Sequence, residues 1–189
     1  GATAYVKVEV PAAWATAEAA PVDVALEGPE ATVKVVKTIL NPVGKMDGYS
    51  LPVSAFEDLA DGQFPLGASA YEKRGVAVSV PHWDETKCIQ CNNCAYVCPH
   101  ATIRPYALTA EEAAAAPAGA RLVPVKAGKG KGVYQFTMAV SPLDCMGCGV
   151  CVGECPVNAI TMVAQEQEAA QQEVFDYCVA EVSEKKDMQ

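Results

Sequence analysis

Apolar positions along the chain fall into short runs broken by turn formers, and each run carries its own period. Tyr5-Val6-Lys7-Val8-Glu9-Val10 alternates with period two and predicts a short strand. Glu30 to Leu40 reads as a helix that ends before Asn41-Pro42, and Asn41 to Ser50, with its Pro, Gly and Asp, reads as a loop. Residues 52–60 predict a short helix stopped at Asp61-Gly62, and Gly75 to Val80 predicts a strand. Further on, Thr109 to Ala116 is helix-like, with Glu111 and Glu112 placed to meet the helix N-terminus. Leu122 to Val125 and Val133 to Val140 read as strands joined by Lys126 to Gly132, and residues 164–187 as a final helix.

Two segments stand apart because cysteine sets their rhythm. Cys88, Cys91, Cys94 and Cys98 precede Pro99, and Cys145, Cys148, Cys151 and Cys155 precede Pro156. Both follow the spacing C-x2-C-x2-C-x3-C-P, the signature of paired [4Fe-4S] clusters. Three cysteines at i, i+3 and i+6 can cap three irons of one cube, and the fourth, expected in a separate short helix, serves the other cube. That rule assigns Cys88, Cys91, Cys94 and Cys155 to one cluster and Cys145, Cys148, Cys151 and Cys98 to the second. Zinc would ask for separated pairs instead of this repeated triplet. A disulfide framework fits neither the regular repeat nor the ninth cysteine, Cys178.

The repeat has an offset of 57 residues and continues past the cysteines, with Ile103 and Ile160 each five residues after the fourth cysteine, where a strand should begin. The predicted class is α+β: a dicluster ferredoxin-like domain over residues 75–163 with a pseudo-twofold repeat and an insertion at 105–141. Residues 1–74 form an N-terminal extension and 164–189 a C-terminal helical one. Ile89, Val97, Met146, Val150 and Ile160 are expected to keep water from the clusters. Gly147 and Gly149 free backbone donors in the second loop, where the first has Gln90 and Asn92, so the two clusters are not expected to be equal. His82 and His100 are read as packing or surface residues, and Cys178 as a small core or surface thiol that is not a ligand. Lys126 to Gly132 lacks the spacing and the Ser or Thr of a phosphate loop and reads as a basic turn.

Composition narrows the setting. The 189 residues are 51% hydrophobic, which is not a disordered composition. No apolar run reaches the length of a membrane span, and no secretory signal is visible. The first residue is Gly1, which suggests a trimmed or excised chain. The net charge of −9 disfavours nucleic acid as a partner and favours a basic protein surface. Thiolate-held clusters favour a reducing, cytoplasmic setting.

Asp61-Gly-Gln-Phe-Pro-Leu-Gly-Ala-Ser-Ala-Tyr-Glu-Lys-Arg-Gly75, with Leu51-Pro-Val-Ser-Ala-Phe56 before it and Val80-Pro-His-Trp83 and Cys88-Ile-Gln-Cys91 after it, resembles pyruvate:ferredoxin (flavodoxin) oxidoreductase. The resemblance covers most of the chain and is weakest over residues 1–40 and the insertion. Members of that family oxidise pyruvate with coenzyme A on thiamine diphosphate and pass electrons through one proximal and two outer [4Fe-4S] clusters. The resemblance implies the ferredoxin-like part with the two outer clusters. It carries the eight ligand roles onto the eight cysteines above, with the remaining domains and a ferredoxin or flavodoxin as partners. No G-D-G thiamine-diphosphate signature and no further cysteine set for a proximal cluster are present, so decarboxylation is not expected of this chain. The rival readings are a free-standing dicluster ferredoxin, an insert of a related 2-oxoacid oxidoreductase and a structural metal-binding module.

Overall fold

The computed structural model describes residues 3–17, 26–126 and 132–186. It divides into two compact units, Gly1–Tyr71 and Glu72–Gln189.

The first unit is built from helical turns. Helix α1 (Glu30–Val35) runs into a π turn (Val36–Leu40) and on through α2 (Asn41–Gly44), so the helix does not end before Pro42 as the sequence predicts. The proline ring would clash with a carbonyl four residues back in a regular helix. The π turn widens the backbone just there, with the Asn41 N–H donating to the Val36 carbonyl. Val35, Val36, Ile39 and Ala68 form the unit's small buried set. Residues 53–59 are 3-10 helical. Tyr5 to Val10 is no strand: among the described residues nothing pairs with it, and Val6, Val8 and Val10 stay exposed. Alternation makes a strand only where a neighbour takes its hydrogen bonds and one face is covered.

The second unit holds two antiparallel sheets. Strand β1 (Ser79–Trp83) pairs with β5 (Ile160–Ala164), placing Trp83 opposite Ile160. Strand β2 (Ile103–Leu108) pairs with β4 (Gln135–Val140), placing Ile103 opposite Val140, and the short β3 (Val123–Pro124) covers the far side of β4. Shifting the Trp83–Ile160 pair by the repeat offset gives Val140–Ile103, so the duplication extends to strand register. Strand β1 starts later than predicted and contains Pro81. It is tolerated because β1 lies at a sheet edge, where a missing N–H breaks no ladder.

The short helices α3 (Asn93–Tyr96) and α5 (Val150–Gly153) carry the third cysteine of each motif. The fourth cysteine lies just beyond each helix, which corrects the expectation that it sits within one. Helix α4 (Ala110–Ala115) in the insertion starts with a capping box between Thr109 and Glu112. Helix α6 is shorter than predicted (Gln171–Glu181). At its front, β5 and a 3-10 turn occupy residues 160–168. Behind it, Ser183 leaves the helix to donate its N–H to the Glu112 carboxylate. Val174, Phe175 and Cys178 pack α6 against Ala139 of β4.

Glu168 ties the unit together. It is 2% exposed, accepts two 2.9 Å hydrogen bonds from the Arg121 guanidinium, and lies 2.6 Å from His82 Nδ1. Insertion, β1 and C-terminal segment therefore meet on one buried carboxylate.

Candidate iron–sulfur sites

Each cysteine loop turns back on itself through left-handed backbone. In the second loop Gly147 (φ +70°) and Gly149 (φ +72°) supply it; in the first, Gln90 and Asn92 adopt the same conformation at φ +62° each. Left-handed backbone costs a non-glycine residue roughly 1–2 kcal/mol. The Gln90 side chain offsets this by donating to the Pro124 carbonyl and accepting from the Lys126 N–H, while Lys126 Nζ donates to the Cys88 carbonyl. Ala101 and Asn158, both at φ +51°, form a third matched pair one offset apart.

The donors that result are the same in both halves. Gln90 N–H reaches Cys88 Sγ at 3.3 Å, and Gly147 N–H reaches Cys145 Sγ at 3.4 Å. Thr102 N–H reaches Cys98 Sγ at 3.4 Å, and Ala159 N–H reaches Cys155 Sγ at 3.2 Å. Glycine in one loop and not the other therefore gives no backbone asymmetry at these positions. A side-chain asymmetry exists instead, because the Thr102 hydroxyl lies 3.4 Å from Cys98 Sγ and its repeat counterpart is Ala159.

The thiols gather around two open voids. Cys88, Cys91, Cys94 and Cys155 line one of about 320 Å³, walled by Trp83, Ile89, Met138, Val157 and Ile160. Cys98, Cys145, Cys148 and Cys151 line another of about 360 Å³, walled by Pro81, Ile103, Met146, Val150 and Met162. Each void thus takes three cysteines from one motif and the fourth from the other. Among the described residues no group of three or more His, Cys, Asp or Glu is drawn together as for a single ion. Each thiol set rings an apolar cup instead, as the four corners of an iron–sulfur cube require. The donor set and the cup both fit a [4Fe-4S] cluster.

Ile89, Met146, Val150 and Ile160 line the voids as the sequence suggests, whereas Val97 is not among the lining residues. Sequence reasoning did not single out Trp83, Met138 and Met162 for this role. A signal for Trp83 was present, since its place one offset before Val140 puts it next to the strand that carries Ile160. His100 lies exposed at the rim of the second void, and His82 is bound to Glu168.

Burial dominates the thiol energetics. Desolvation pushes the Cys94 thiol up to about 12 and Cys151 to about 11, and raises Cys145 as well. At Cys98 burial acts in the same direction, but hydrogen bonds from the Thr102 hydroxyl and from backbone N–H groups outweigh it and lower the thiol. Cys178, buried against α6 and β4, is pushed to about 11 and lines neither void.

Comparison with known proteins gives this geometry a context. Residues 87–159 match a family described as a 4Fe-4S dicluster domain, and residues 18–77 match one described as a domain of unknown function. A pyruvate-flavodoxin oxidoreductase of Enterobacter agglomerans is 43% identical over 95% of this chain and 15% of its own length. A pyruvate:ferredoxin oxidoreductase of Moorella thermoacetica is 42% identical over 88% of this chain and 14% of its own length. A pyruvate dehydrogenase of Cryptosporidium parvum, named for NADP(+), is 46% identical over 76% of this chain and 7% of its own. The chain thus spans about one seventh of the first two relatives. No helix among the described residues is long and apolar enough to cross a membrane. The chain belongs, as a two-cluster [4Fe-4S] ferredoxin-like domain, to the electron-transfer part of the pyruvate-flavodoxin/ferredoxin oxidoreductases.

Proposed function

We propose that this chain relays electrons from the catalytic domains of a pyruvate oxidoreductase to a ferredoxin or flavodoxin, and that it has no pyruvate-oxidising activity of its own. The observation that carries this reading is the pair of four-thiol voids, each completed by a cysteine of the opposite repeat. Cys88, Cys91, Cys94 and Cys155 hold one cluster; Cys98, Cys145, Cys148 and Cys151 hold the other. When bound, such clusters supply low-barrier one-electron exchange at potentials set by their surroundings.

The protein's own part is positional. Left-handed turns at residues 90, 92, 147 and 149 aim the thiols inward, and backbone N–H groups stabilise the thiolates. Trp83, Met138, Ile160, Ile103 and Met162 exclude water from the inner walls, while Cys91 and Cys148 stand exposed on the outer side. The match to a protein named for NADP(+) supports a relay role that does not depend on one terminal acceptor.

Anaerobic reconstitution should load about eight irons per chain. Cys98→Ala and Cys145→Ala should damage the same cluster, identified by its EPR signal. Loss of the other cluster in Cys98→Ala refutes the crossed assignment. The loaded chain should reduce a viologen dye or a flavodoxin when given a strong reductant and form no acetyl-CoA from pyruvate, coenzyme A and thiamine diphosphate. Acetyl-CoA formation refutes the relay-only reading.

A further inference from the structure

We propose that the indole N–H of Trp83 is a hydrogen-bond donor to the cluster in the void lined by Cys88, Cys91, Cys94 and Cys155, and that it raises the reduction potential of that cluster alone. The inference rests on the ligand sets proposed above.

Trp83 is 2% exposed, and its Nε1 has no hydrogen-bond partner in the protein. Buried polar groups are almost always paired, so an orphaned donor at the wall of a ligand cavity points to an acceptor in that cavity. The ring packs edge-on to Phe136, with centroids 5.8 Å apart, and at the same time lines the thiol void. What fills that void is rich in anionic sulfur, an acceptor for N–H donors. The only other orphaned buried side-chain atom among the described residues, Asn92 Oδ1, belongs to a residue lining the same void. A half-turn of that amide exchanges oxygen for a donor nitrogen.

The repeat makes this one-sided. The counterparts of Trp83 and Asn92 are Val140 and Gly149, which have no polar side-chain atoms. The second void has a different device, the Thr102 hydroxyl beside Cys98 Sγ, where the first has Ala159. Each cluster is therefore tuned by its own side-chain donor, placed at a non-equivalent position. Donors to cluster sulfur favour the more negative, reduced state and so raise the potential.

The test uses the full chain, reconstituted anaerobically and grown with 15N-indole tryptophan. In the reduced protein, pulsed EPR should show a 15N coupling on one cluster. Trp14→Phe, which alters the other, exposed tryptophan, should keep the coupling, and Trp83→Phe should abolish it. In an EPR-monitored redox titration, Trp83→Phe should lower the reduced-to-oxidised ratio of that cluster about tenfold at fixed potential, about 59 mV for a one-electron couple. The other cluster should stay unchanged. Absence of 15N coupling in wild-type protein carrying about eight irons overturns the inference and leaves the ligand sets standing. Wild-type protein that cannot be loaded beyond about four irons overturns the ligand sets, and the inference with them. Because the coupling is read in wild-type protein, the test stands even if Trp83→Phe folds poorly.

Discussion

Replacing Arg121 by methionine should strip a buried carboxylate of its main partner. Glu168 is 2% exposed and receives both arms of the Arg121 guanidinium at 2.9 Å, with His82 Nδ1 at 2.6 Å as the remaining contact. Removing one partner of a buried ion pair costs roughly 3–5 kcal/mol, because the charge left behind is uncompensated. His82 still holds the carboxylate, and the Arg121 side chain is 24% exposed, so the lower end applies: about 3 kcal/mol. For a unit of this size that corresponds to a fall in Tm of roughly 12 °C. Glu168→Gln keeps the shape and removes the charge, and should cost about 2 kcal/mol. The double variant should then lose clearly less than the sum of the two, since each single change destroys the same interaction. Anaerobic thermal melts of the cluster-loaded chain, followed by far-UV circular dichroism at one scan rate, give all three values. Burial alone would raise the Glu168 carboxyl, but Arg121 and His82 overcome it and hold the carboxyl below its ordinary value. Its stabilisation is therefore present above the unfolded value and fades as pH falls through the folded one, and Arg121→Met should weaken that acid sensitivity. Additive losses, or an Arg121→Met cost below about 1 kcal/mol, would show that this carboxylate does not join the three segments as described.

Glu112 should make a second acid-sensitive contribution. Burial opposes ionisation there, but Lys185, Ser183 and Thr109 together bring the carboxyl down to about 2, so wild type should lose stability as pH falls below the ordinary carboxylate range towards that value. Glu112→Gln should flatten that part of a Tm-against-pH curve, and an unaltered curve would contradict the contact. Gly147→Ala should cost more than Gly149→Ala: both incur left-handed strain of about 1–2 kcal/mol, but only at 147 would the new methyl meet the Ser79 carbonyl oxygen at 3.1 Å and Ala77 Cβ at 3.3 Å. Equal melting temperatures for the two would refute that reading of the close approach. Cys178→Ala should leave iron content and visible absorption unchanged while costing about 1 kcal/mol from its packed site; loss of half the iron would make Cys178 a ligand.

Much of the site could be read from spacing, because cysteine geometry is local. The triplets, the crossing of the fourth cysteine, and the strand starts at Ile103 and Ile160 all follow from one repeated pattern. Features that depend on distant partners were not visible. Nothing near His82 announces Glu168, 86 residues away, or links either to Arg121. Gln90 and Asn92 hid a conformation that glycine advertises at 147 and 149; only the repeat offset exposes it. The Tyr5–Val10 alternation and the Asn41-Pro42 stop failed for opposite reasons. The first had the pattern without a partner strand, and the second had a breaker that a π turn accommodates.

The exchange of fourth cysteines between the repeats also bears on how the protein is made. Cys94 leaves the ribosome 61 residues ahead of Cys155, so three thiols of the first set wait for their fourth through the synthesis of the whole insertion. At translation rates of ~5–20 residues per second that delay is about 3–12 s. The second set is completed at Cys151, only four residues before the first is completed at Cys155. Two sites that begin far apart in the chain thus become able to accept their clusters almost together, and a nascent chain stalled inside the insertion can hold neither.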